Sequence, residues 1–214
     1  MTRPDADDIP DSGEGPWDVG DMAEVADVSA WVDLGALLVP PNPGVDLQAQ
    51  ADPATGVISE LSLATPEAAV RVQPFAGPRS PGMWDDVRGQ LIDSLRTSGI
   101  TVTEVDGPFG RELLGDLPNA QGTREPARFA GVDGPRWFLR MIFLGKAART
   151  GPIADRLQTA VRSLVVVRGS EAMPVGAPLP LKLPASVAEA PQAPVVDRPR
   201  LTLPSRGPEI TEVR

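Results

Sequence analysis

From Val45 to Ala51 apolar Val45, Leu47, Ala49 and Ala51 alternate with Asp46, Gln48 and Gln50, the period-two signature of a strand with one buried and one wet face. Asp52-Pro53-Ala54-Thr55-Gly56 reads as a tight connection, with Pro presetting one turn position and Gly supplying a positive φ. A strand resumes from Val57 to Leu63, Thr65-Pro66 breaks it, and Ala69 to Phe75 makes the next. Three sequential strands with short turns predict an antiparallel meander. Ahead of them, Asp33 to Val39 is expected as one further strand, stopped by Pro40, Pro41 and Pro43.

The period then changes. Met83/Trp84, Val87, Leu91 and Leu95 recur at three and four residues until Gly99, which predicts a helix. Ser80 is expected to cap it, with Pro81 at its first position and Asp85 and Asp86 in the first turn, where the helix dipole favours them. Alternation returns in Ile100 to Val105, and Glu112 to Leu117 reads as a short strand. Ala127 to Val132 and Trp137 to Leu144 flank Asp133-Gly134-Pro135, a hairpin signal. The second arm puts Trp137, Leu139, Met141 and Phe143 on one face and Phe138, Arg140, Ile142 and Leu144 on the other, so it is expected to be central. A second helix is expected from Pro152 to about Leu164, and Leu164 to Val167 reads as a short β-branched run.

Both ends differ from this body. Residues 1–16 have three prolines and almost no apolar content, and are expected to be a disordered acidic leader. Residues 174–208 hold nine prolines; Pro178 to Pro184 is expected to run extended along the domain surface, and 185–214 to be a disordered tail. The single domain is thus expected over 17–184, as an α+β fold: an antiparallel sheet with two helices packed on it.

Charge sharpens the division. The chain's net charge is −9, and residues 1–33 alone hold ten acids against Arg3, so the rest is neutral. A neutral body lacks the basic face that phosphate backbones require, which argues against nucleic acid as a partner. The first 30 residues lack the basic and apolar regions of a signal peptide, and no later run is long enough to span a membrane, so a cytoplasmic location without membrane insertion is expected. The chain has no His, Cys or Tyr. Imidazole bases, thiolates, Cys/His zinc sites and disulfides are therefore excluded, and no metal or cofactor is expected.

Several blocks carry a family resemblance: Gly15-Pro16-Trp17-Asp18; Asp33-Leu34-Gly35 with Val39-Pro40; Phe75-Ala76-Gly77-Pro78-Arg79 followed by Trp84-Asp85; Asp106-Gly107-Pro108-Phe109-Gly110; Gly131 to Trp137 with Arg140; and Val166-Val167-Arg168-Gly169 with Ala172-Met173-Pro174. Together they resemble domain of unknown function 3710, a family of high-GC Gram-positive bacteria. The resemblance implies no activity, since none is assigned to that family. The order of strands and helices is also similar to the Mog1/PsbP-like fold, a scaffold of binding and assembly proteins.

Catalytic motifs are missing. Gly145-Lys146-Ala147 lacks the upstream Gly and the Ser/Thr of a P-loop, no Ser lies in a nucleophile-elbow spacing, and Ile9 breaks the acidic run Asp5 to Asp11 where a calcium loop needs an oxygen. Asp85 and Asp86 point about 100° apart on a helix and cannot share a proton. The candidate binding residues are Arg79, Trp84, Phe109, Arg136, Trp137 and Arg140, whose arginines would bind an anion if they converged. A second candidate is a partner arm: Met22, Val25, Val28 and Trp31, spaced by three on a short helix, with Trp17 ahead of them. The acidic leader is expected either to dock in cis on the arginines or to meet a partner. These readings favour a non-enzymatic module that binds or assembles with a protein not identified by sequence, its oligomeric state open. The alternatives are a carboxylate and arginine enzyme, as hydrolase or transferase, and a binder of small anions.

Overall fold

The computed structural model of the chain describes residues 15–22, 28–52, 54–118 and 122–183. Its frame is a seven-stranded sheet. The predicted meander is there as β4 (Asp46–Ala51), β5 (Ile58–Thr65) and β6 (Ala68–Ala76). The later strands are β7 (Val102–Gly107), β8 (Gly110–Pro118), β9 (Arg124–Gly134) and β10 (Trp137–Gly145). The spatial order is β4-β5-β6-β10-β9-β8-β7, antiparallel throughout, so the last hairpin returns its second arm to the middle of the sheet. There β10 is covered on both sides: Trp137, Leu139, Met141 and Phe143 are buried on one face and Phe138 on the other. The turn of that hairpin is Pro135-Arg136, one residue later than the sequence signal, and Arg136 takes a left-handed φ of 63°.

One face carries α2 (Pro152–Arg162), which starts with Pro at its first turn as expected. Leu157, Ala160 and Val161 pack with Leu61, Leu63, Val70, Val72, Leu139, Met141 and Phe143. Burying a side chain such as Leu157 contributes about 1.5–3 kcal/mol. A second sheet of very short strands closes the same core: β1 (Trp17–Asp18), β2 (Val32–Asp33), β3 (Leu37–Val39) and β11 (Val165–Val166), in the order β1-β11-β3-β2. The single strand expected over Asp33 to Val39 is instead a hairpin. Asp33 accepts a hydrogen bond from the Gly35 N–H at 2.7 Å, Gly35 has φ 83°, and β2 and β3 pair across the bend.

The proline-rich closing segment is not a surface ribbon. Its residues 176–182 enter where β5 diverges from β6, with Ala76 and Leu179 N–H groups bonded to Ala177 and Pro74 carbonyls and the Ile58 N–H to the Leu181 carbonyl. Leu179 and Leu181 are buried in the core, because alternate residues of an extended segment face the same side.

The opposite face carries α1 (Met83–Thr97), whose Met83, Trp84, Val87, Leu91, Ile92 and Leu95 pack over Leu113, Phe129 and Phe138. Gly131 lets it approach: a Cβ there would lie 2.6 Å from the Trp84 and Phe138 rings. The cap is not Ser80, and Pro81 precedes the helix. Gly82 occupies the N-cap position at φ 118°, and Asp133 of β9 accepts hydrogen bonds from the Gly82 and Trp84 N–H groups at 3.0 and 3.4 Å. The two helices thus sit on opposite faces and on opposite halves of the sheet: α1 over β7 to β10, α2 over β5, β6 and β10. A diagonal pair of quadrants is left without a helix.

Candidate binding surfaces

The first open quadrant lies over β7, β8 and β9, on the face that α2 covers elsewhere. It is a trough of about 790 Å³ edged by Ala148, Arg149, Thr150 and Gln158, with Thr103, Val105, Leu114 and Asp116 on its walls. Register puts Glu112, Leu114 and Arg128 on this face beside Phe143. At the floor, Arg128 Nη1 donates to Glu112 Oε2 at 2.8 Å, with side chains 7% and 0% exposed. The carboxylate also accepts the Phe109 N–H at 2.9 Å. Gly107 makes room for it, since a Cβ there would lie 2.2 Å from the carboxyl carbon. Arg128 further donates to the Ala147 carbonyl at 3.3 Å and lies 4.1 Å over the Phe143 ring. Phe109 stacks on Phe143, and Arg162 reaches both the Pro108 carbonyl and the Phe109 ring. The pair thus ties the β7–β8 hairpin to β9 and to the Ala147 carbonyl, while Arg162 ties it to α2. Its charges compensate each other, which a buried ion pair requires.

The second open quadrant lies over β5 and β6 beside β10, on the face of α1. It is a trough of about 580 Å³ bounded by the closing segment Pro178 to Leu181 and by Glu60, Arg71, Gln73, Arg140 and Ile142. Arg71 meets Glu60 at 3.3 Å, both half exposed, a pairing worth about 0–1 kcal/mol. Arg140 is different. It is half-buried, donates to the Gln73 amide oxygen at 2.8 Å and lies 5.1 Å over the Phe75 ring, and among the described residues it meets no carboxylate. Burial alone pushes its guanidinium below the ordinary arginine value. The contrast is Arg88, held above that value by its bonds to Glu104 at 2.7 Å and Asp85 at 2.5 Å.

The residues singled out from sequence do not gather in one place. Trp84 and Trp137 are core, not surface: the Trp84 indole donates to the Arg111 carbonyl at 2.6 Å and stacks on Phe138, and Trp137 is folded over Gly134. Phe109 is half-buried against Phe143. Arg79 and Arg136 are exposed at one end of the sheet, where the Gly77 N–H and Arg168 Nε both donate to the Arg136 carbonyl. Arg140 is four residues further along β10, about 13 Å by strand rise. The three arginines therefore do not form one anion site. Arg140 instead belongs with Arg71, Gln73 and Glu60, which sequence reading had not selected.

The partner arm is dispersed as well. Trp17 is a strand residue paired with Val165, so the chain joins the small sheet directly after the 1–16 leader. Asp18 accepts the Trp137 indole N–H at 2.7 Å, which ties β1 to β10. Val19 to Met22 is a 3-10 turn, and the Trp31 N–H bonds to the Val28 carbonyl in a second turn. The described ends of the Met22 to Trp31 stretch are turns; Val25 and the rest of 23–27 lie outside the described residues, as do 1–14 and 184–214.

A family model described as a protein of unknown function (DUF3710) matches residues 15–190. The chain belongs to the DUF3710 family. No curated protein matches it. In this DUF3710 chain the recurrent blocks are chiefly packing devices. Gly15, Gly77, Gly107, Gly131 and Gly134 each lie against a side chain or backbone that a Cβ would strike below 3.0 Å, and Asp133 is the α1 cap. Among the block residues, Arg79 and Arg136 stay exposed and Arg140 half-buried. Among the described residues of the DUF3710 chain, no group of His, Cys, Asp or Glu is arranged to hold a metal ion, and no helix is long and apolar enough to cross a membrane.

Proposed function

We propose that this DUF3710 domain is a protein-binding module that meets its partner on the two sheet quadrants its helices leave open. The observation that carries the reading is architectural: each helix covers half of one face, leaving troughs of about 790 and 580 Å³ lined by mixed polar and apolar side chains. Open, shallow concavities with charged rims suit polypeptide recognition better than they suit enclosure of a reacting group. A cytoplasmic setting accords with the missing cysteines.

The test is affinity capture with the full chain and two variants, one carrying Arg71→Glu with Arg140→Gln, the other Asp116→Lys with Arg149→Glu. Loss of one reproducible partner from one variant, with unchanged melting temperature, supports the module. Identical partner sets from all three contradict it. The second reading, a carboxylate and arginine enzyme, is favoured by Glu112 and Arg128 at the floor of the larger trough. Both already spend their charge on each other and on backbone groups, which ranks this reading lower.

A further inference from the structure

We propose that the trough beside β5, β6 and β10 is the binding site for an extended acidic peptide segment, with Arg140 as the anchor for one of its carboxylates; this rests on the binding reading above. The charge arrangement is the first support. Arg88 and Arg128 are each held against carboxylates, whereas Arg140, half-buried on the same sheet, has only the Gln73 amide oxygen and the Phe75 ring. A guanidinium partly withdrawn from water without an anion gains more from an incoming carboxylate than a solvated one does. Among the described residues Gln73 accepts from Arg140 on its oxygen, which leaves its NH2 group as a second donor at the same spot. Arg71 adds a second cation, and its Glu60 partner is half exposed and readily exchanged. The trough thus offers two guanidiniums against one carboxylate.

The walls define the rest of the ligand. Ile142 lines the same space with the exposed rings of Pro178 and Pro180, and Val57 at its rim is 40% exposed. One ion pair at a half-exposed site gives little affinity by itself, so a ligand must also place apolar groups on this wall. The volume of about 580 Å³ lies within the range of ligand sites. The closing segment, paired to β5 through Val57 and Lys182 and to β6 through Phe75 and Pro178, gives the trough an extended border. An extended chain whose alternate residues are acidic and aliphatic matches that border, with its carboxylates toward Arg140 and Arg71 and its aliphatic groups toward Pro178 and Pro180.

The experiment is isothermal titration of the full chain with the acetylated, amidated pentapeptide Val-Glu-Leu-Glu-Val, its Gln-for-Glu analogue, and hexanoate. Saturable binding is expected for the acidic peptide, at least tenfold weaker for the Gln analogue and for the Arg140→Gln chain, partly restored in Arg140→Lys, and falling with salt. Equal affinity for the Glu and Gln peptides, or full affinity in a folded Arg140→Gln chain, overturns the site. Hexanoate binding as tightly as the peptide overturns the peptide as occupant. No peptide binding, with partner capture lost only in the Asp116→Lys/Arg149→Glu chain, overturns this site while leaving the module standing. No peptide binding together with identical captured partners removes both.

Discussion

Replacing Glu112 by Gln removes one charge from a pair that the fold has closed off from water. The Gln side chain keeps the size and an oxygen to accept the Phe109 N–H, so the change is confined to the anion facing Arg128. That guanidinium is 7% exposed, and its other contacts are the Ala147 carbonyl and the Phe143 ring. Leaving a buried charge without its partner costs about 3–5 kcal/mol, a large fraction of the roughly 5–15 kcal/mol that holds a domain together. For a domain of this size the melting temperature should fall by roughly 6–20 °C. The double variant Glu112→Leu with Arg128→Met takes away both charges and leaves apolar groups of similar bulk, so it should cost less than the two single changes added together. A coupling of about 2 kcal/mol or more is expected between residues in direct contact. Urea unfolding followed by the fluorescence of buried Trp84 and Trp137 measures the unchanged chain, Glu112→Gln, Glu112→Leu, Arg128→Met and the double variant. A Glu112→Gln cost below about 1 kcal/mol, or strict additivity in the double variant, would refute the assignment of this pair as the tie between the β7–β8 hairpin and β9.

Other consequences follow from single contacts. Gly131→Ala drives a methyl into the Trp84 and Phe138 rings and should cost about 1–3 kcal/mol, with the loss appearing as a shift in Trp84 fluorescence. Asp133→Ala strips the first turn of α1 of its acceptor and should cost about 0.5–2 kcal/mol, read as faster amide exchange at Gly82 and Trp84 than elsewhere in the helix. Arg136→Gly relieves a left-handed residue and should be neutral or stabilising by up to about 1 kcal/mol, measured by urea midpoint. The Asp52 carboxyl, bonded to the Thr55 backbone N–H, the Thr55 hydroxyl and the Ala54 N–H, is held below the ordinary aspartate value. Its contribution is present above the unfolded-chain pKa and is lost as pH falls through the lower folded value. A carboxyl titration by NMR should give Asp52 a midpoint below the ordinary aspartate value, and a midpoint at that value would contradict the turn's hydrogen bonding.

Legibility in the sequence followed the range of the interactions. The meander, both helices and the central place of Trp137 to Leu144 were readable because each shows in the spacing of its own residues. The second sheet was not: its strands are two or three residues long, too short for a period, and exist through pairings such as Trp17 with Val165. The α1 cap was misplaced for the same reason, since Ser80 satisfies the local rule while the acceptor comes from Asp133, some fifty residues on. The Glu112–Arg128 pair left one trace, an Arg set among Ala127, Phe129 and Ala130, where a cation needs a partner. The adjacent leucines of β8 hid which face its Glu would take. For the binding residues, tryptophans drew attention as surface candidates, but Gly131 and Gly134 opposite them are what let indoles lie flat in the core. Arg140 is legible in sequence as a member of a charged set, while its companions Arg71 and Gln73 come from a strand that sequence alone could not align with β10.

The account rests on the helix-free quadrants being where a second polypeptide sits. Amide hydrogen exchange on the full chain, alone and bound to its captured partner, addresses that directly. The account predicts slowed exchange concentrated in the segments lining one or both troughs, 57–61, 71–73, 140–142 and 178–181 or 101–107, 112–116 and 126–128, with the outward face of α1 unchanged. Protection confined to the outward faces of α1 and α2, with all of those segments exchanging as in the free chain, would contradict it.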